Sequence, residues 1–584
     1  MYPDSPLRLL GELLRGRRSR LALFGVFLAV SSALPLAGPL LLRAFIDHAI
    51  EGQPIAVLAL IAGTYITLAL ARQALVVVAA YSATRLAWMV TNDLRGILLR
   101  HALELDLSYH GAHPPGELIE RTDGDVTALS TFVSSFAVRV VGSALTLTGA
   151  LVIVLLEDWR VGLGLAGFAT VAAVTIGRLR TSAVPQATEQ RAAVAGLFGE
   201  IEERLAGAED LRANGGGAHA LRRFHQATAL VYRRAWRAAR ATRRIYVVTM
   251  AVFVAGGVLS LVAGAALYRA GAISLGTVYL LFRYTSMLRE PLEQISTELQ
   301  NVQGAVAGFV RIKQLLAERP SVTDAGERTL PAGALSVELD GVGFAYHDDV
   351  PVLDGITMSV PAGRVLGVVG PTGSGKTTLA RLLLRLGDPI QGVVRIGGID
   401  LREVRLAALR ARIGYVTQDV HLFRASVRDN LTLFGAVEAD DARLVEVLDT
   451  LGLDRWHREL PDALETMLGP GGSGMSAGEA QLLAFARVFL RDPELLILDE
   501  ATSRLDPLTE ARIERATDLL LAGRTAIVIA HRLTTLARAD EILVLEEGTI
   551  AEHGARLELA ADPSSRFASL LATNQKAALT VAAS

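Results

Sequence analysis

What most limits the folds open to this chain is a series of apolar runs, all before about residue 300 and each long enough, or nearly so, to cross a bilayer. A hydrocarbon core of ~30 Å takes ~20 apolar residues in a helix, and the backbone groups inside it must bond to one another. Six runs fit this description: residues 21–42, 55–81, 138–156, 161–176, 245–268 and 275–288. A chain of 584 residues that is 51% hydrophobic and 20% charged is too long for one ordinary domain and too apolar for a typical soluble multidomain protein. Arg15, Arg17, Arg18 and Arg20 precede the first run, so the positive-inside rule leaves the N-terminus, residues 1–20, in the cytoplasm. The run is too long for the core of a cleaved signal peptide, and more spans follow it.

The connections sort by charge. Segments 82–137 and 177–244 are rich in arginine (Arg95, Arg100 and Arg121 in the first; Arg222, Arg223, Arg233, Arg234, Arg243 and Arg244 in the second), whereas 48–54 and 157–160 carry little positive charge. The long segments are therefore expected on the cytoplasmic side. Residues 82–110 and 185–244 have helical spacing with few breakers, so they read as helices continuing past the bilayer. Each is broken once by a turn, at His113-Pro114-Pro115-Gly116 and at Asn214-Gly215-Gly216-Gly217. Near residues 320–333 the pattern changes to a polar linker and then to short β-branched runs alternating with amphipathic helices, which marks a mixed α/β domain. The expected division is a membrane domain over 21–318, a linker over 319–334, an α/β domain over 335–573 and a disordered tail over 574–584.

The chemistry lies in that second half. A strand over 364–369 runs into Gly370-Pro371-Thr372-Gly373-Ser374-Gly375-Lys376-Thr377, then Thr378 and a helix. Glycines here let backbone N–H groups wrap phosphate oxygens, and the helix start adds positive potential. Lys376 supplies a point charge for the β- and γ-phosphates and Thr377 a hydroxyl for Mg²⁺. The chain has only three lysines, at 313, 376 and 576, so a lysine at this position is not one surface charge among many. A second apolar strand, 495–498, ends in Asp499-Glu500. A carboxylate at the end of a buried strand beside a phosphate loop is placed to hold Mg²⁺, and the next one to polarise an attacking water.

These residues resemble the ABC transporter family, specifically the exporter-type half-transporter, and the match covers nearly the whole chain. The resemblance implies a helical membrane domain of six long helices with cytoplasmic extensions, followed by an α/β P-loop ATPase domain with a helical subdomain. It implies ATP and Mg²⁺ as cofactors and a second half-transporter as partner. In Val342-Gly-Phe344-Ala-Tyr346, Tyr346 matches the aromatic that stacks on adenine. In Tyr415-Val-Thr-Gln418, Gln418 matches the glutamine that contacts Mg²⁺ and the water. Ser503-Arg504-Leu505-Asp506 resembles the D-loop, and His531 the switch histidine at the γ-phosphate. Gly116-Glu117-Leu118 and residues 203–224 fall where the family carries its coupling helices.

Two stretches depart from the family. Its signature Leu-Ser-Gly-Gly-Gln reads Met475-Ser476-Ala477-Gly478-Glu479 here. Ser476 and Gly478 keep a hydroxyl and a close-approach glycine, while Ala477 adds a methyl. Ser476-x-x-Glu479 also reads as a capping box, with a carboxylate competing for the helix end that meets the partner's nucleotide. Upstream, Thr466-Met-Leu-Gly469-Pro470-Gly471-Gly472 lacks the family's usual charged pair. An altered signature beside an intact Lys376, Asp499 and Glu500 resembles one half of a heterodimeric exporter, and favours a different partner chain with an intact signature over a copy of this one.

Arg72 and Arg283 lie within apolar spans, where a charge costs ~2.5–3.5 kcal/mol unless it meets water or a partner. They are candidates for a cargo cavity, with pairing to a carboxylate as the competing reading. The net charge of −2 gives no reason to expect nucleic-acid binding, and the absence of cysteine excludes disulfides and thiol chemistry. The leading reading is a multi-pass protein of the bacterial plasma membrane, surrounded by lipid, that uses ATP to move a hydrophobic or amphipathic molecule outward. Import of siderophore-like cargo on the same scaffold stays open. A non-pumping channel or regulator needs ATP binding but no water-activating carboxylate, so Glu500 and His531 weigh against it.

Overall fold

The computed structural model describes residues 15–346, 350–418, 420–469, 475–499, 507–530 and 536–572, and the chain divides into two compact units. Unit one comprises residues up to Leu103 together with Pro114–Glu318. It begins with two long helices, α1 (Arg18–Ile50) and α2 (Ile55–Glu104). After the break come α3 (Leu107–Ala112), which belongs to the second unit, and α4 (Pro115–Ile119), then α5 (Asp125–Ser135) and α6 (Gly142–Glu157), joined through π-helical turns at Glu120–Gly124 and Phe136–Val141. The unit continues with α7 (Trp159–Ala206), α8 (Ala208–Ala213), α9 (Gly217–Arg269), α10 (Leu275–Met287) and α11 (Arg289–Ala317).

At ~1.5 Å per residue the 50 residues of α2 run ~75 Å, well over twice the ~30 Å core, so the apolar runs are parts of much longer rods. The same holds for α7 and α9, with 48 and 53 residues. Among the described residues, five helices or helical stretches are long and apolar enough to span a membrane: α1, α2, Val138–Glu157, α7 and α9. The expected sixth span is α10, of only 13 residues, but it passes through the helical Leu288 into α11, and Leu288 N–H donates to Tyr284 O at 3.2 Å. Local chemistry sets where two of the rods begin. Asp158 caps α7, accepting from the N–H groups of Arg160 (2.8 Å) and Val161 (3.3 Å), and Ser274 caps α10 through Thr277 N–H at 3.1 Å.

Unit one has an apolar centre that includes Leu36, Val154, Ala172, Ile176, Phe253 and Tyr284, where the Tyr284 hydroxyl donates to Leu36 O at 2.7 Å. Outside the hydrocarbon level the helices are joined by ions. Asp125, almost fully buried on α5, takes a two-pronged contact from Arg311 on α11, with Nε–Oδ2 at 2.8 Å. By contrast, the apolar window of α2 buries none of its residues within the chain, so that face must meet lipid or a second subunit.

Unit two joins Glu104–His113 to Arg319–Ser584. Asp106 accepts from the Ser321 N–H at 2.9 and 3.1 Å, which ties the turn around α3 to the start of the ATPase segment. The piece of the first loop grouped with this unit is thus 104–113, just before the expected Gly116–Leu118 stretch. Nor is the stretch at 319–334 free. Arg328 N–H donates to Glu403 O at 2.9 Å, its side chain pairs with Glu403 at 2.7 Å, and Asp324 accepts from Leu406 N–H at 2.8 Å.

The strands β1 (Val337–Ala345), β2 (Pro351–Val360), β4 (Gln391–Ile396) and β5 (Ile399–Asp400) make an antiparallel sheet in the order β2-β1-β4-β5. The second sheet holds β3 (Val365–Val369), β6 (Ile413–Val416), β7 (Leu495–Asp499), β8 (Thr525–Ile529), β9 (Glu541–Glu546) and β10 (Thr549–Ala555), in the order β10-β9-β3-β8-β7-β6. Every residue of β3, β7 and β8 is buried, as expected of central parallel strands covered on both faces. Helix α12 (Lys376–Leu383) follows β3, and α13 (Leu406–Arg412) precedes β6. A helical subdomain of α14 (Val427–Thr432), α15 (Asp441–Thr450), α16 (Asp454–Arg458) and α17 (Ala477–Arg491) packs through Leu431, Leu448 and Phe485, followed in the chain by α18 (Pro507–Leu521).

Removing Arg311 leaves the Asp125 carboxylate buried without its cation. Breaking a buried pair costs ~3–5 kcal/mol, and because Arg311 is about half exposed the lower end applies. Arg311→Ala is therefore expected to lower the thermal unfolding midpoint of the detergent-purified protein by several degrees, while Arg311→Lys recovers part of the loss.

Candidate functional site

The site is built at one edge of the parallel sheet. In the strand register Val368 pairs with Ile529, and Ile529 with Asp499, so three strands reach the edge on one row. The phosphate-type loop leaves from β3, Asp499 ends β7, and His531 follows two residues after β8. Gly370 leaves its strand at φ +151°, and a Cβ there would lie 2.1 Å from Leu545 O, so no side chain fits at the start of the loop. Gly375, at φ +102°, starts α12.

Inside the loop, Lys376 Nζ donates to Gly370 O at 2.9 Å and to Pro371 O at 2.8 Å, so the ammonium lies across the loop that the backbone encloses. Ser374 Oγ is buried and has no hydrogen-bond partner among the described residues. A buried hydroxyl left open beside a lysine at a helix start is chemistry suited to a phosphate oxygen. The Tyr346 hydroxyl lies 3.2 Å from Thr378 Oγ1 and accepts from Arg381 Nη1 at 3.0 Å. That fixes the ring next to the loop, edge-on to Phe344. Pro371, Thr372 and Gly373 form the exposed crest of the loop, and Thr377 is half-buried on the first turn of α12.

Asp499 is 4% exposed. Tyr415 on the neighbouring strand points its hydroxyl at Asp499 Oδ2, a long contact of 3.5 Å. Burial, and after it the Asp499 charge, pushes the Tyr415 phenol up to about 12, so it stays protonated and acts as a donor. Gln418 is exposed, just beyond the end of β6. Glu500, Ser503, Asp506, His531, Pro470, Gly471, Gly472 and the tail 574–584 lie outside the described residues, as do residues 1–14 of the N-terminal segment.

At the altered signature the capping box forms. Ser476 Oγ accepts from Glu479 N–H at 3.2 Å, and Glu479 Oε2 accepts from Ser476 N–H at 2.8 Å. Ser476 and Ala477 are exposed, whereas Gly478 is buried beneath α18, where a Cβ would come within 1.9 Å of Thr509 Cγ2. The glycine's small size serves this helix–helix contact.

Two contributors gave no motif in the sequence. Tyr415 is one, visible only as the residue opening the Tyr-Val-Thr-Gln stretch. Arg487 is the other. From the middle of α17 it donates to His421 O (2.9 Å), Asn430 O (2.7 Å) and Asn430 Oδ1 (2.9 Å), fastening the segment after Gln418 to the signature helix. Burial lowers its pKa without another charge to offset it, and three acceptors hold it in place. In so arginine-rich a chain, nothing in its sequence context distinguishes it.

Arg72 and Arg283 line one cavity of about 620 Å³ in unit one, with Ser31, Tyr65 and Gln294 among its walls. Neither arginine has a hydrogen bond or ion pair among the described residues.

Residues 21–292 match the model of the ABC transporter transmembrane region, and residues 353–503 that of the ABC transporter domain. Over 573 residues the chain is 30% identical to an uncharacterized ABC transporter ATP-binding protein, YfiC of Bacillus subtilis, covering 95% of this chain and 92% of that protein. This chain is an ABC transporter. Its helical membrane region is fused to a C-terminal ATPase domain, and its activity is ATP hydrolysis coupled to transport. The transporter is also 33% identical over 566 residues to the multidrug efflux ATP-binding/permease protein Rv0194 of Mycobacterium tuberculosis, covering 96% of this chain but 46% of that protein, so it spans about half of that relative. Its fold is that of a solved bacterial Atm1-family ABC exporter with ATP bound, at a TM-score of 0.79, 24% identity, and coverage of 95% of this chain and 98% of that one. The family implies ATP, and the open Ser374 hydroxyl and the glycine cradle fit its phosphates, with Lys376 and Thr378 closing the loop side. Bound there, ATP supplies the phosphoryl bond whose hydrolysis the domain catalyses.

Replacing Arg487 by leucine cuts the tie between the Gln418 segment and α17 but leaves the Lys376 loop intact. Arg487→Leu is expected to reduce kcat for ATP hydrolysis by about tenfold, the rate equivalent of ~1.4 kcal/mol. Binding of a fluorescent ATP analogue should stay within about twofold of the unchanged protein, since tenfold needs that same ~1.4 kcal/mol. Phosphate release and fluorescence titration measure the two.

Proposed function

We propose that this ABC transporter chain is the hydrolysing half of a heterodimeric exporter for hydrophobic or amphipathic small molecules. The observation that carries the reading is the Ser476–Glu479 capping box. In the resemblance, the start of the signature helix meets the γ-phosphate bound by the opposite subunit. Here Glu479 takes the Ser476 N–H for itself and holds a negative charge at the positive end of α17, so it opposes an arriving phosphate. The composite site closed by this signature is the weak one. The competent site uses Tyr346, Lys376, Asp499, Glu500 and His531 of this chain beneath an intact signature from a different partner.

In that site Thr377, Gln418 and Asp499 would hold Mg²⁺, which would supply charge neutralisation at the phosphates. Glu500 polarises the attacking water and His531 contacts the γ-phosphate. Nucleotide favours the closed pair of ATPase domains, and alternating access is the resulting population shift. Outward transport is supported by the exporter-type fold and by a relative named for multidrug efflux. The arginine-rich helix extensions support a plasma-membrane orientation with the ATPase domain and both termini in the cytoplasm. Arg72 and Arg283, unpaired on one cavity wall, are the cargo contacts within the span.

The test separates the two ATP sites of the purified native dimer. Glu500→Gln in this chain is expected to reduce steady-state ATP hydrolysis by about a hundredfold or more, within the range of a lost catalytic base. Ser476→Ala in the same chain should change it by less than about twofold, since the weak site contributes little turnover. A homodimer with two equivalent active sites, in which Ser476→Ala abolishes hydrolysis, contradicts the reading.

A further inference from the structure

A larger cavity in unit one, of about 1370 Å³, lies between α7 and α9, with α5 and α11 contributing further walls. On α7 its wall runs from Arg180 through Ala183 and Ala187 to Arg191, and on α9 through Ala235 and Ala239 to Arg243, each along one helix face. Small side chains make a trough with guanidinium groups along it. Among the described residues, three arginines and no carboxylate line this cavity. Arg191 and Arg243 have no hydrogen bond or ion pair among the described residues. Arg180 is positioned by Thr297 Oγ1 (2.7 Å) and Glu293 O (3.3 Å), while its buried Nε has no partner. Of the carboxylates on the flanking turns, Glu189 is paired with Arg234 and Glu298 with Arg139, while Glu293 is paired with Arg289 and also attracts Arg180.

The Arg234–Glu189 pair also fixes the level at which the two antiparallel helices meet. Arg243 and Arg180 stand equally far along their helices from that pair, so the two guanidiniums share one level. That level is where the apolar run of α7 has just ended at Ile176 and that of α9 begins at Ile245. A boundary between apolar and arginine-rich helix marks a headgroup level, that of the cytoplasmic leaflet in the orientation proposed above. Outside the cavity, α9 adds Arg237, Arg240 and Arg244, with Arg240 over the Trp236 ring at 6.0 Å, a juxtamembrane basic and aromatic belt that attracts anionic lipid.

We propose that this cavity is the entry site for an amphiphile with an oxyanion head, a phospholipid or a fatty acid, drawn from that leaflet, its head bridging Arg180 and Arg243 and its chain lying along the alanine trough. The guanidinium of Arg243 and the open Nε of Arg180, in a partly dry cavity, find their best partner in a carboxylate or phosphate. The inference rests on the transport function proposed above and names its cargo class. Arg72 and Arg283, on the separate cavity within the span, then offer a second station for the same anionic head.

The experiment reconstitutes the full chain in its native dimer in phosphatidylcholine vesicles. It follows ATP-dependent movement and binding of nitrobenzoxadiazole-labelled phosphatidylglycerol, the equally labelled phosphatidylcholine, and a labelled C12 fatty acid. The expected result is saturable binding and movement of one or both anionic probes in preference to phosphatidylcholine. Arg180→Ala/Arg243→Ala raises the half-saturating concentration of that probe by about tenfold or more, as loss of charge-assisted bonds implies, whereas Arg180→Lys/Arg243→Lys retains most of the affinity. Arg243→Gln alone removes no hydrogen bond or ion pair among the described residues and keeps the test decisive if the double variant fails to melt cooperatively. Unchanged anionic-probe binding in these variants overturns the proposal, as does binding without movement, which marks boundary lipid only. Movement of the phosphatidylcholine probe alone overturns this inference and leaves the exporter reading standing. ATP hydrolysis with no movement of any probe overturns both.

Discussion

Parallel pairing of β3, β8 and β7 is the interaction on which the ATPase half of this transporter depends. Because Val368, Ile529 and Asp499 fall in one row, the phosphate loop, the Asp499 carboxylate and the segment leading to His531 emerge from a single sheet edge. A slip of one residue in any strand would turn its buried side chains to the opposite face and draw these groups apart. The three strands are buried throughout, so their register is fixed by the core on both faces and is costly to change. The glycine-only turn at Gly370 and the open hydroxyl of Ser374 are held in place by that rigid frame.

The membrane half obeys a different constraint. Its helices satisfy their own backbones, so their lengths are free to exceed the bilayer, and three of them run to about 50 residues. What the single chain leaves unsatisfied is side-chain surface. The apolar window of α2 has no burial of its own, and unpaired arginines face two cavities. A second half and surrounding lipid are therefore part of the physical solution, in keeping with a family whose halves work in pairs.

Much of this was legible in the sequence, for reasons that differ by element. The spans and the P-loop were readable because each rests on local composition: a long apolar run, or glycines followed by Lys376 and Thr377. The capping box was readable from Ser476 and Glu479 alone, since its partners are three residues apart. The short α10 was harder, because its rod continues through Leu288 into the polar α11 and the apolar run understates it. The linker at 319–334 reads as loose from its polar composition but is held by Glu403 and Leu406, more than seventy residues away. Arg487 and Tyr415 were out of reach for the same reason. Their roles come from contacts with His421, Asn430 and Asp499 that only the folded topology creates. Among the arginines of α7 and α9, nothing in the sequence separates Arg180 and Arg243, which share a cavity, from Arg234, which is paired.

The central claim is that gripping ATP in the Lys376 loop powers movement across the membrane. The most direct measurement is ATP-driven dye accumulation in inside-out vesicles carrying the native dimer, compared between the unchanged chain and Lys376→Ala, with nucleotide binding recorded on the same samples. The account predicts ATP binding and accumulation in the unchanged protein and loss of both hydrolysis and accumulation in the variant. Accumulation that survives in Lys376→Ala, or failure of the unchanged dimer to bind ATP, would contradict it.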